Sequence, residues 1–356
     1  MQRRVIVALL AAVGLGAGAP AALADDGGRF AGGEPDGRAT DVHTLTEGVG
    51  TSDGNPEGVA FDRRSGRFFV SRVATGAIYR GVLGDPAAGV VPFIPGAEPD
   101  ADPGRALAAG LKVAGGRLYV AGANTGQIRV YDVATGALWT TFDTTTLPGA
   151  CAATFVNDLV VTGDGDVYAT DSFCPRIYHV GRRAVERRTG AVEAIDVAAD
   201  IPYVAANPDG SPAFNLNGIV ARDDGQLIVV QSATGALFRV DVDDDGHERR
   251  IQEIRVDGGP LTGGDGLLLD RGRLLVVQGT VAGFDGRFAK GAVTVVRLRD
   301  ERARGTVESR FGDPTLAGPS TIERARDRYL VVNAHFGSPS PYTVSALPRG
   351  GRRDDD

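Results

Sequence analysis

Four oxygen-bearing residues open short apolar strands at widely separated points of the sequence. They are Glu57, Asn157, Asn217 and Asp265, and each precedes a run such as Val59-Ala60-Phe61. Two carboxylates and two amides supply hard oxygen donors, and their combined charge balances that of a calcium ion. Water molecules would complete the coordination shell of the ion. Because the set contains no His or Cys, zinc and copper are disfavoured. If the four residues meet in the fold, the sequence predicts a Ca²⁺ site, with another divalent ion as the alternative.

These residues fall at equivalent places in an internal repeat. Copies of a two-strand pattern begin at Glu57, Gly110, Asn157, Asn217, Asp265 and Ser320, and a third strand follows in each. Four-stranded repeats of roughly 40–50 residues are typical of propeller blades. We therefore predict an all-β, six-bladed β-propeller over residues 41–348, whose inner strands bring the starting residues to one end of a central channel. Val42–Leu45 is expected to pair with the last blade and close the ring. Two β-sandwich domains are the alternative, but they leave the repeat unexplained.

The same motifs carry a resemblance to a known family. Pro56-Glu57-Gly58, Asn157-Asp158, Asn217-Gly218 and Asp265-Gly266 resemble the metal-binding signatures of the senescence-marker-protein/gluconolactonase/luciferin-regenerating-enzyme family, to which diisopropyl fluorophosphatase and the paraoxonases are similar. The resemblance implies that Glu57, Asn157, Asn217 and Asp265 hold calcium, and that the activity is hydrolysis of lactones, aryl esters or organophosphates. Blade two has no counterpart of the gluconolactonase sugar-binding Arg and Asn, so gluconolactone is not the expected substrate. Asn-Gly and Asp-Gly are also common turn dipeptides, which is the competing interpretation of these motifs.

Composition limits the partners and the compartment. The formal charge of the 356 residues is −7 and no basic stripe is present, which argues against nucleic acid. Residues 1–24 have the pattern of a secretory signal: Arg3-Arg4, an apolar run to Leu15, and Ala22-Leu23-Ala24 as the cleavage site. That run is too short for a membrane span. Residues 25–40 and 349–356 are polar and predicted to be disordered. We expect a secreted or extracytoplasmic monomer that binds a small molecule.

The ends of the second strands are expected to surround the metal at a greater radius. They include Ser71, Asp171, Ser172, Gln231 and Gln278, and their polarity predicts a wet pocket. His335 follows the second strand of the sixth copy, and there it would serve as a general base or hydrogen-bond donor. A structural or surface histidine is the alternative. Cys151 and Cys174 flank the third copy, and a pair of cysteines in an exported chain predicts a disulfide at the rim.

Two functions follow from this pattern. The first is a calcium-dependent hydrolase in which Asp265, or a water that it activates, attacks the substrate, while Asn157 and Asn217 position ion and substrate. The second is a binding propeller with a structural calcium, because the fold alone does not choose. Asp241–Gly246 matches half of a calcium loop, but Gln252 occupies its twelfth position. We interpret it as a solvated acidic hairpin.

Overall fold

Strands make up nearly all of the regular structure. The computed structural model describes residues 38–46, 55–96, 107–222, 225–243, 245–281, 283–299, 303–336 and 341–349. The predicted signal segment, linker residues 25–37 and tail residues 350–356 lie outside the described residues. Among those described, the only α-helix is α1, Arg182–Arg187, and short 3-10 turns cover Pro86–Ala88, Thr144–Thr146 and Gly286–Phe288. No described helix has the length and apolar character that crossing a membrane requires.

Strand pairing divides the chain into six antiparallel units of four strands, which we call blades. Blade 1 contains β2 (Pro56–Asp62), β3 (Arg67–Arg72), β4 (Ile78–Val82) and β5 (Val91–Ile94). Blade 2 contains β6 (Leu111–Ala114), β7 (Arg117–Ala121), β8 (Gln127–Asp132) and β9 (Leu138–Asp143). Blade 3 contains β10 (Val156–Val161), β11 (Val167–Asp171), β12 (Arg176–Val180) and β13 (Glu193–Asp196).

The remaining strands repeat the same order. Blade 4 contains β14 (Leu216–Arg222), β15 (Gln226–Gln231), β16 (Ala236–Val242) and β17 (Glu248–Asp257). Blade 5 contains β18 (Gly264–Asp270), β19 (Arg273–Gln278), β20 (Ala292–Arg299) and β21 (Arg304–Phe311). Blade 6 contains β22 (Pro319–Ala325), β23 (Arg328–Asn333), β24 (Thr343–Pro348) and, from the other end of the chain, β1 (Asp41–Thr44). A short parallel pairing of β17 with β21 joins blades 4 and 5 into one eight-stranded sheet.

The blades form a closed ring. Each inner strand contacts the next, in the order β2, β6, β10, β14, β18 and β22, and β22 contacts β2 again. Alternate residues of a strand face different neighbours: Phe68 and Val70 pack with blade 6, whereas Phe69 packs with blade 2. Six such apolar clusters fill the six interfaces between blades. The predicted propeller fold is therefore confirmed.

Closure of the ring by both termini is also as predicted. β1 pairs with β24 in antiparallel register, from Asp41 opposite Ala346 to Thr44 opposite Thr343. Thr40, which the sequence placed in the linker, donates its backbone N–H to the Ala346 carbonyl at 2.8 Å. The closing strand removes the open edge that blade 6 would otherwise expose.

Candidate metal centre

The inner strands carry their first residues to one end of the ring, where an irregularity re-aims them. The register of β2 on β3 shifts between Pro56 and Val59, so Glu57 and Gly58 lie in a bulge. The corresponding shift occurs in four further inner strands, at Asn157-Asp158, Asn217-Gly218, Asp265-Gly266 and Ser320-Thr321. A bulge inserts an unpaired residue and turns its side chain away from the regular alternation. The repeated bulge explains why polar residues interrupt an apolar strand at these positions.

The glycines next to the predicted ligands allow adjacent inner strands to approach closely. A Cβ on Gly218 would lie 2.2 Å from the Asp265 carbonyl oxygen, and one on Gly58 would lie 2.5 Å from the Ala109 carbonyl oxygen. A Cβ on Gly266 would lie 2.8 Å from Thr321 Cα. These dipeptides lie inside strands β2, β14 and β18. The turn interpretation of the dipeptides is therefore wrong, and the glycines are needed for strand packing.

Four buried oxygen atoms in this ring have no hydrogen-bond donor. They are Glu57 Oε2, Asp158 Oδ2, Asn217 Oδ1 and Asp265 Oδ1. Glu57 and Asn217 are each 6% exposed and Asp158 is 3% exposed. Part of Asp265 reaches solvent, although its Oδ1 does not. Buried polar atoms are normally hydrogen-bonded, because leaving them without partners is costly.

Two serines fix the orientation of the predicted amide ligands. The Ser172 hydroxyl donates to the Leu216 carbonyl at 2.6 Å, so it must accept the hydrogen bond from Asn157 Nδ2, which is 2.8 Å away. The Ser232 hydroxyl likewise donates to the Gly264 carbonyl and accepts from Asn217 Nδ2 at 3.1 Å. A hydroxyl has only one proton to give, so each amide must present its N–H₂ to the serine. The carbonyl oxygen of each amide is thereby directed away from its serine.

The carboxylates at the centre repel one another. Burial and the charges of Asp265 and Asp158 raise the pKa of Glu57 well above its usual value. Burial and the Asp158 charge likewise raise the pKa of Asp265, against a hydrogen bond from Asn217. Burial also raises the pKa of Asp158, although Lys112 opposes it. A bound cation would remove this repulsion, because a nearby positive charge favours the ionised carboxylate.

Lys112 partly compensates these negative charges within the channel. Lys112 Nζ lies 3.6 Å from Glu323 Oε2, on the inner strands of blades 2 and 6. Burial alone would lower the pKa of Lys112, but Glu323, Asp158 and Glu57 hold it above its ordinary value. When all are ionised, four carboxylates face one ammonium group, so three negative charges remain. A divalent cation would reduce that excess to one.

These donors fit a hard divalent cation. Four acceptor oxygens without donors, from blades 1, 3, 4 and 5, converge where negative charge is in excess. Carboxylate and amide oxygens are the ligands that calcium prefers. Within the part of the chain that the structure describes, no three His, Cys, Asp or Glu side chains are grouped closely enough to hold a metal by themselves. Any site here therefore needs the amides as well as the carboxylates.

Asp158 is the residue that the sequence analysis left out. It occupies the place that glycine takes in blades 1, 4 and 5, and a Cβ on Gly110 would lie 2.3 Å from Asp158 Oδ1. The Oδ1 atom accepts from the Leu159 N–H at 2.8 Å, which leaves Oδ2 without a partner. Its position as the second residue of the Asn157-Asp158 motif was a usable signal.

His335 lies on the same face as Glu57. Asn55, two residues before Glu57, donates its side-chain N–H₂ to the His335 carbonyl at 2.8 Å. The His335 backbone adopts φ +53°, in the left-handed region, which costs energy for a residue with a side chain and is often found at functional sites. Its imidazole is half-buried. Its catalytic role stays a prediction.

The strand ends around the ring are drier than predicted, although Asn124, Ser232 and His335 are half-buried. Ser71, Asp171, Ser172, Gln231 and Gln278 are all at most 2% exposed. Their polar atoms bind the backbone of neighbouring segments: Ser71 Oγ accepts from the Gly58 N–H at 2.8 Å, and Gln278 donates to the Thr262 carbonyl at 2.8 Å. The polar side chains at these strand ends therefore form hydrogen bonds that connect neighbouring segments.

The rim beside Asn157 is stapled as predicted. Cys151 and Cys174 form a disulfide, with their Cα atoms 5.8 Å apart.

Elsewhere, a surface cavity of about 360 Å³ lies between β9 and residues 188–192. None of the predicted site residues lines it, and it belongs to the outer strands.

The acidic hairpin at Asp241 is also as interpreted. Asp243 Oδ1 accepts from the N–H groups of Asp245 and His247 at 3.1 and 2.8 Å, as in an ordinary turn between β16 and β17.

Comparison with solved structures places the fold among known propellers. No protein-family model and no curated protein sequence matches the chain. A luciferin-regenerating enzyme shares 13% identity at a TM-score of 0.57, over 88% of this chain and 96% of the other. A calcium-binding protein, regucalcin, from Agrobacterium tumefaciens strain C58 shares 17% at 0.55, over 88% and 95%. A gluconolactonase from Xanthomonas campestris shares 19% at 0.51, over 88% and 95%. The fold expected from the family resemblance is thus confirmed, and identities this low establish the fold alone.

Proposed function

We propose that the protein is a calcium-dependent hydrolase of lactones or esters. The observation that carries the proposal is the group of buried oxygens without donors at the mouth of the ring. Glu57, Asn157, Asn217 and Asp265 would hold the ion, with Asp158 beside them. A Ca²⁺ ion at this position would polarise a substrate carbonyl oxygen and orient it. The similarity of the fold to a gluconolactonase and to a calcium-binding regucalcin supports this choice.

The residues of the chain have separate roles in this proposal. Asp265 is more solvent-accessible than the buried Glu57 and Asp158, so it is the group that can take a proton from water or attack a carbonyl carbon itself. Asn157 and Asn217 are held by Ser172 and Ser232 and keep fixed positions for ion and substrate. His335 would donate a hydrogen bond to the substrate or act as a second base.

The test is a metal analysis followed by a substrate panel. Purified protein should contain about one tightly held calcium, as one hard-oxygen site implies. Gluconolactone, γ-butyrolactone, phenyl acetate and paraoxon are then assayed with calcium and after chelation. Calcium-dependent turnover supports the hydrolase. Bound calcium without turnover of any substrate indicates the alternative, a binding propeller with a structural ion, and stoichiometric zinc contradicts the site.

Two matched variants locate the ion. Glu57→Gln removes one proposed ligand charge, whereas Glu308→Gln makes the same change on outer strand β21, where the carboxylate pairs with Arg273 at 2.5 Å. Only the first variant should lose calcium. Equal metal content in both would place the ion elsewhere.

We also propose that the protein is exported. The disulfide between Cys151 and Cys174 supports this, since stable disulfides belong to oxidising compartments. Cell fractionation with an antibody, and the N-terminal sequence of the exported form, test it. A start at Asp25 is expected, and a cytosolic full-length chain would contradict it.

A further inference from the structure

One apolar cluster lies outside the six interfaces between blades. Phe155, Phe173 and Phe214 form its centre, and we call these three residues the phenylalanine wall. Their ring centroids are 5.6 Å apart for Phe155 and Phe173, 5.1 Å for Phe155 and Phe214, and 5.0 Å for Phe173 and Phe214. Phe155 is buried, whereas the other two are half-buried. The fold is already closed by its six other clusters, so the wall calls for a separate explanation.

The phenylalanine wall stands beside the candidate metal centre. Phe155 precedes Asn157 by two residues, and Phe214 precedes Asn217 by three. Phe173 directly follows Ser172, the residue that orients the Asn157 amide. Ala109 and Ala123 of blade 2 belong to the same cluster and are fully buried. One side of the ring mouth is therefore apolar, next to oxygens that would hold the ion.

The protein fixes this wall with polar groups that would otherwise be costly to bury. Asp171 Oδ1 accepts from the N–H groups of Phe155, Phe173 and Cys174, at 2.8, 2.9 and 2.9 Å. The Tyr203 hydroxyl lies 2.6 Å from the Asp171 carbonyl oxygen and 3.0 Å from that of Cys174, and its one proton is shared between them. The Cys151–Cys174 disulfide adds a covalent tie. A loop held in this way keeps its aromatic rings in place, which lowers the cost of binding a ligand against them.

We propose that the phenylalanine wall selects substrates that carry an aromatic ring next to the reacting ester or lactone. The proposal rests on the hydrolase function given above and names its substrate class. Aromatic rings pack edge-to-face against one another with a gain beyond area burial, and Phe173 and Phe214, which are only half-buried beside Ser172 and Asn217, are the rings that a substrate would reach. A polyhydroxylated lactone would instead have to place its hydroxyl groups against apolar carbon, where they lose hydrogen bonds to water.

The test compares two lactones that differ only in a phenyl group. γ-Phenyl-γ-butyrolactone and γ-butyrolactone share the reacting ring, and their hydrolysis is followed with a pH indicator in the presence of calcium. The wild-type protein should prefer the phenyl-bearing lactone in kcat/KM by about tenfold or more, and Phe214→Ala should lower this preference by about tenfold. Phe214→Tyr retains the ring and should retain the preference. The preference between two substrates is not altered by a purely structural loss, which affects both rates together.

A matched control is available in blade 1. Phe93 is also half-buried, and it packs on Phe69 at 5.3 Å and under Arg80, on outer strand β5. Phe93→Ala should leave the substrate preference unchanged. A preference that is absent in the wild type, or equal in wild type and Phe214→Ala, would overturn the wall as a specificity element.

A binding measurement separates this inference from the hydrolase proposal. If the protein hydrolyses neither of these lactones nor any substrate of the panel above, the hydrolase proposal fails, and saturation-transfer NMR with 4-phenylbutyrate and butyrate decides the question of the wall. Binding of 4-phenylbutyrate that exceeds that of butyrate and is lost in Phe214→Ala supports an aromatic ligand class. No difference between the two acids overturns it.

Discussion

Strand β18 carries one aspartate near its start and another at its end, and the two carboxylates have opposite surroundings. At its end, Asp270 is 4% exposed and accepts from the Tyr329 hydroxyl at 2.7 Å, from Arg349 Nε at 2.6 Å and from Arg324 at 3.4 Å. At its start, Asp265 has a buried Oδ1 without any donor. Burial would raise the pKa of Asp270, but its bonds to Arg349 and Tyr329 hold that pKa below the usual value. The pKa of Asp265 is raised.

This difference in hydrogen-bond partners separates a carboxylate with a structural role from one that the protein leaves incompletely paired. Asp270 is saturated by protein donors and ties blade 5 to blade 6 and to the C-terminal Arg349. Asp265 lies among other carboxylates, and only the Asn217 amide bonds to it. A chain that can bury one aspartate with complete pairing has no structural need to leave Oδ1 of the other without a donor. The comparison therefore supports the catalytic role that we propose for Asp265.

The largest expected effect is on catalysis by Asp265→Asn. An amide can neither accept the proton nor attack, so activity should fall roughly 10²–10⁴-fold and stay low at saturating calcium. Steady-state rates at rising calcium concentrations measure this. Asp270→Asn, assayed under conditions where it is folded, should keep its kcat. Full recovery of Asp265→Asn by excess calcium would make Asp265 a ligand without a catalytic role.

Calcium should stabilise the wild-type protein against unfolding. An ion that binds only the folded state adds about 2.7 kcal/mol at a free concentration one hundred times its Kd. Thermal unfolding with and without calcium measures the gain, and Glu57→Gln should lose most of it while Glu308→Gln keeps it. A melting temperature that ignores calcium would count against a site at this end of the ring.

The next largest effect is on the free energy of unfolding, which should depend on Asp270 and not on Asp265. Asp270→Asn leaves two arginines and a tyrosine without their charged partner, and the free energy of unfolding should fall by about 2 kcal/mol. This figure allows for the partial exposure of Arg324 and Arg349. Calcium-free Asp265→Asn should be as stable as the wild type or more so, because one of several repelling carboxylates is gone. Urea unfolding of both variants without calcium compares them directly, and a larger loss in Asp265→Asn would contradict the assignment.

Sequence patterns were sufficient for the ring, and they also marked most of the residues that we propose for the centre, for a physical reason. Glu57, Asn217 and Asp265 are found because a polar residue at the start of an apolar strand is conspicuous wherever it repeats. Asp158 stands at the second position of its motif, where blades 1, 4 and 5 have glycine. The motif displays the residue, but the burial of its carboxylate depends on strand pairing, which no local pattern displays. Arg349 was assigned to a disordered tail, since its partner Asp270 lies 79 residues away in sequence.

The buried strand ends show the opposite limit of sequence reasoning. Ser172 and Gln231 have the composition of a wet surface, yet both are inside the protein. Only the position of neighbouring backbone carbonyls shows that they join strands, and such positions depend on the whole ring. Polarity predicts that a residue needs partners, but it does not say whether water, protein or a ligand provides them.

The smallest expected effect concerns His43, another buried group without hydrogen-bond partners, which lies in an apolar setting. Both ring nitrogens of His43 lack hydrogen bonds, and the ring packs against Phe68 at 5.0 Å in the closing strand β1. Burial lowers its pKa below 6.5, against the charges of Asp41 and Asp85 and with a smaller contribution from Arg328. In the unfolded chain the imidazole takes up a proton more readily, so stability is present above about pH 6.5 and is lost as the pH falls towards the lower folded pKa. One proton gives a slope of at most about 1.4 kcal/mol per pH unit in that window.

Urea unfolding between pH 5 and pH 8 should show this slope in the wild type and lose it in His43→Leu, while the exposed His247→Gln keeps it. If His43→Leu kept the full slope, other groups would control acid stability. If the slope is lost, a buried group without partners is not by itself a sign of a ligand. The site that we propose around Asp265 rests instead on several acceptor oxygens at equivalent places in the ring.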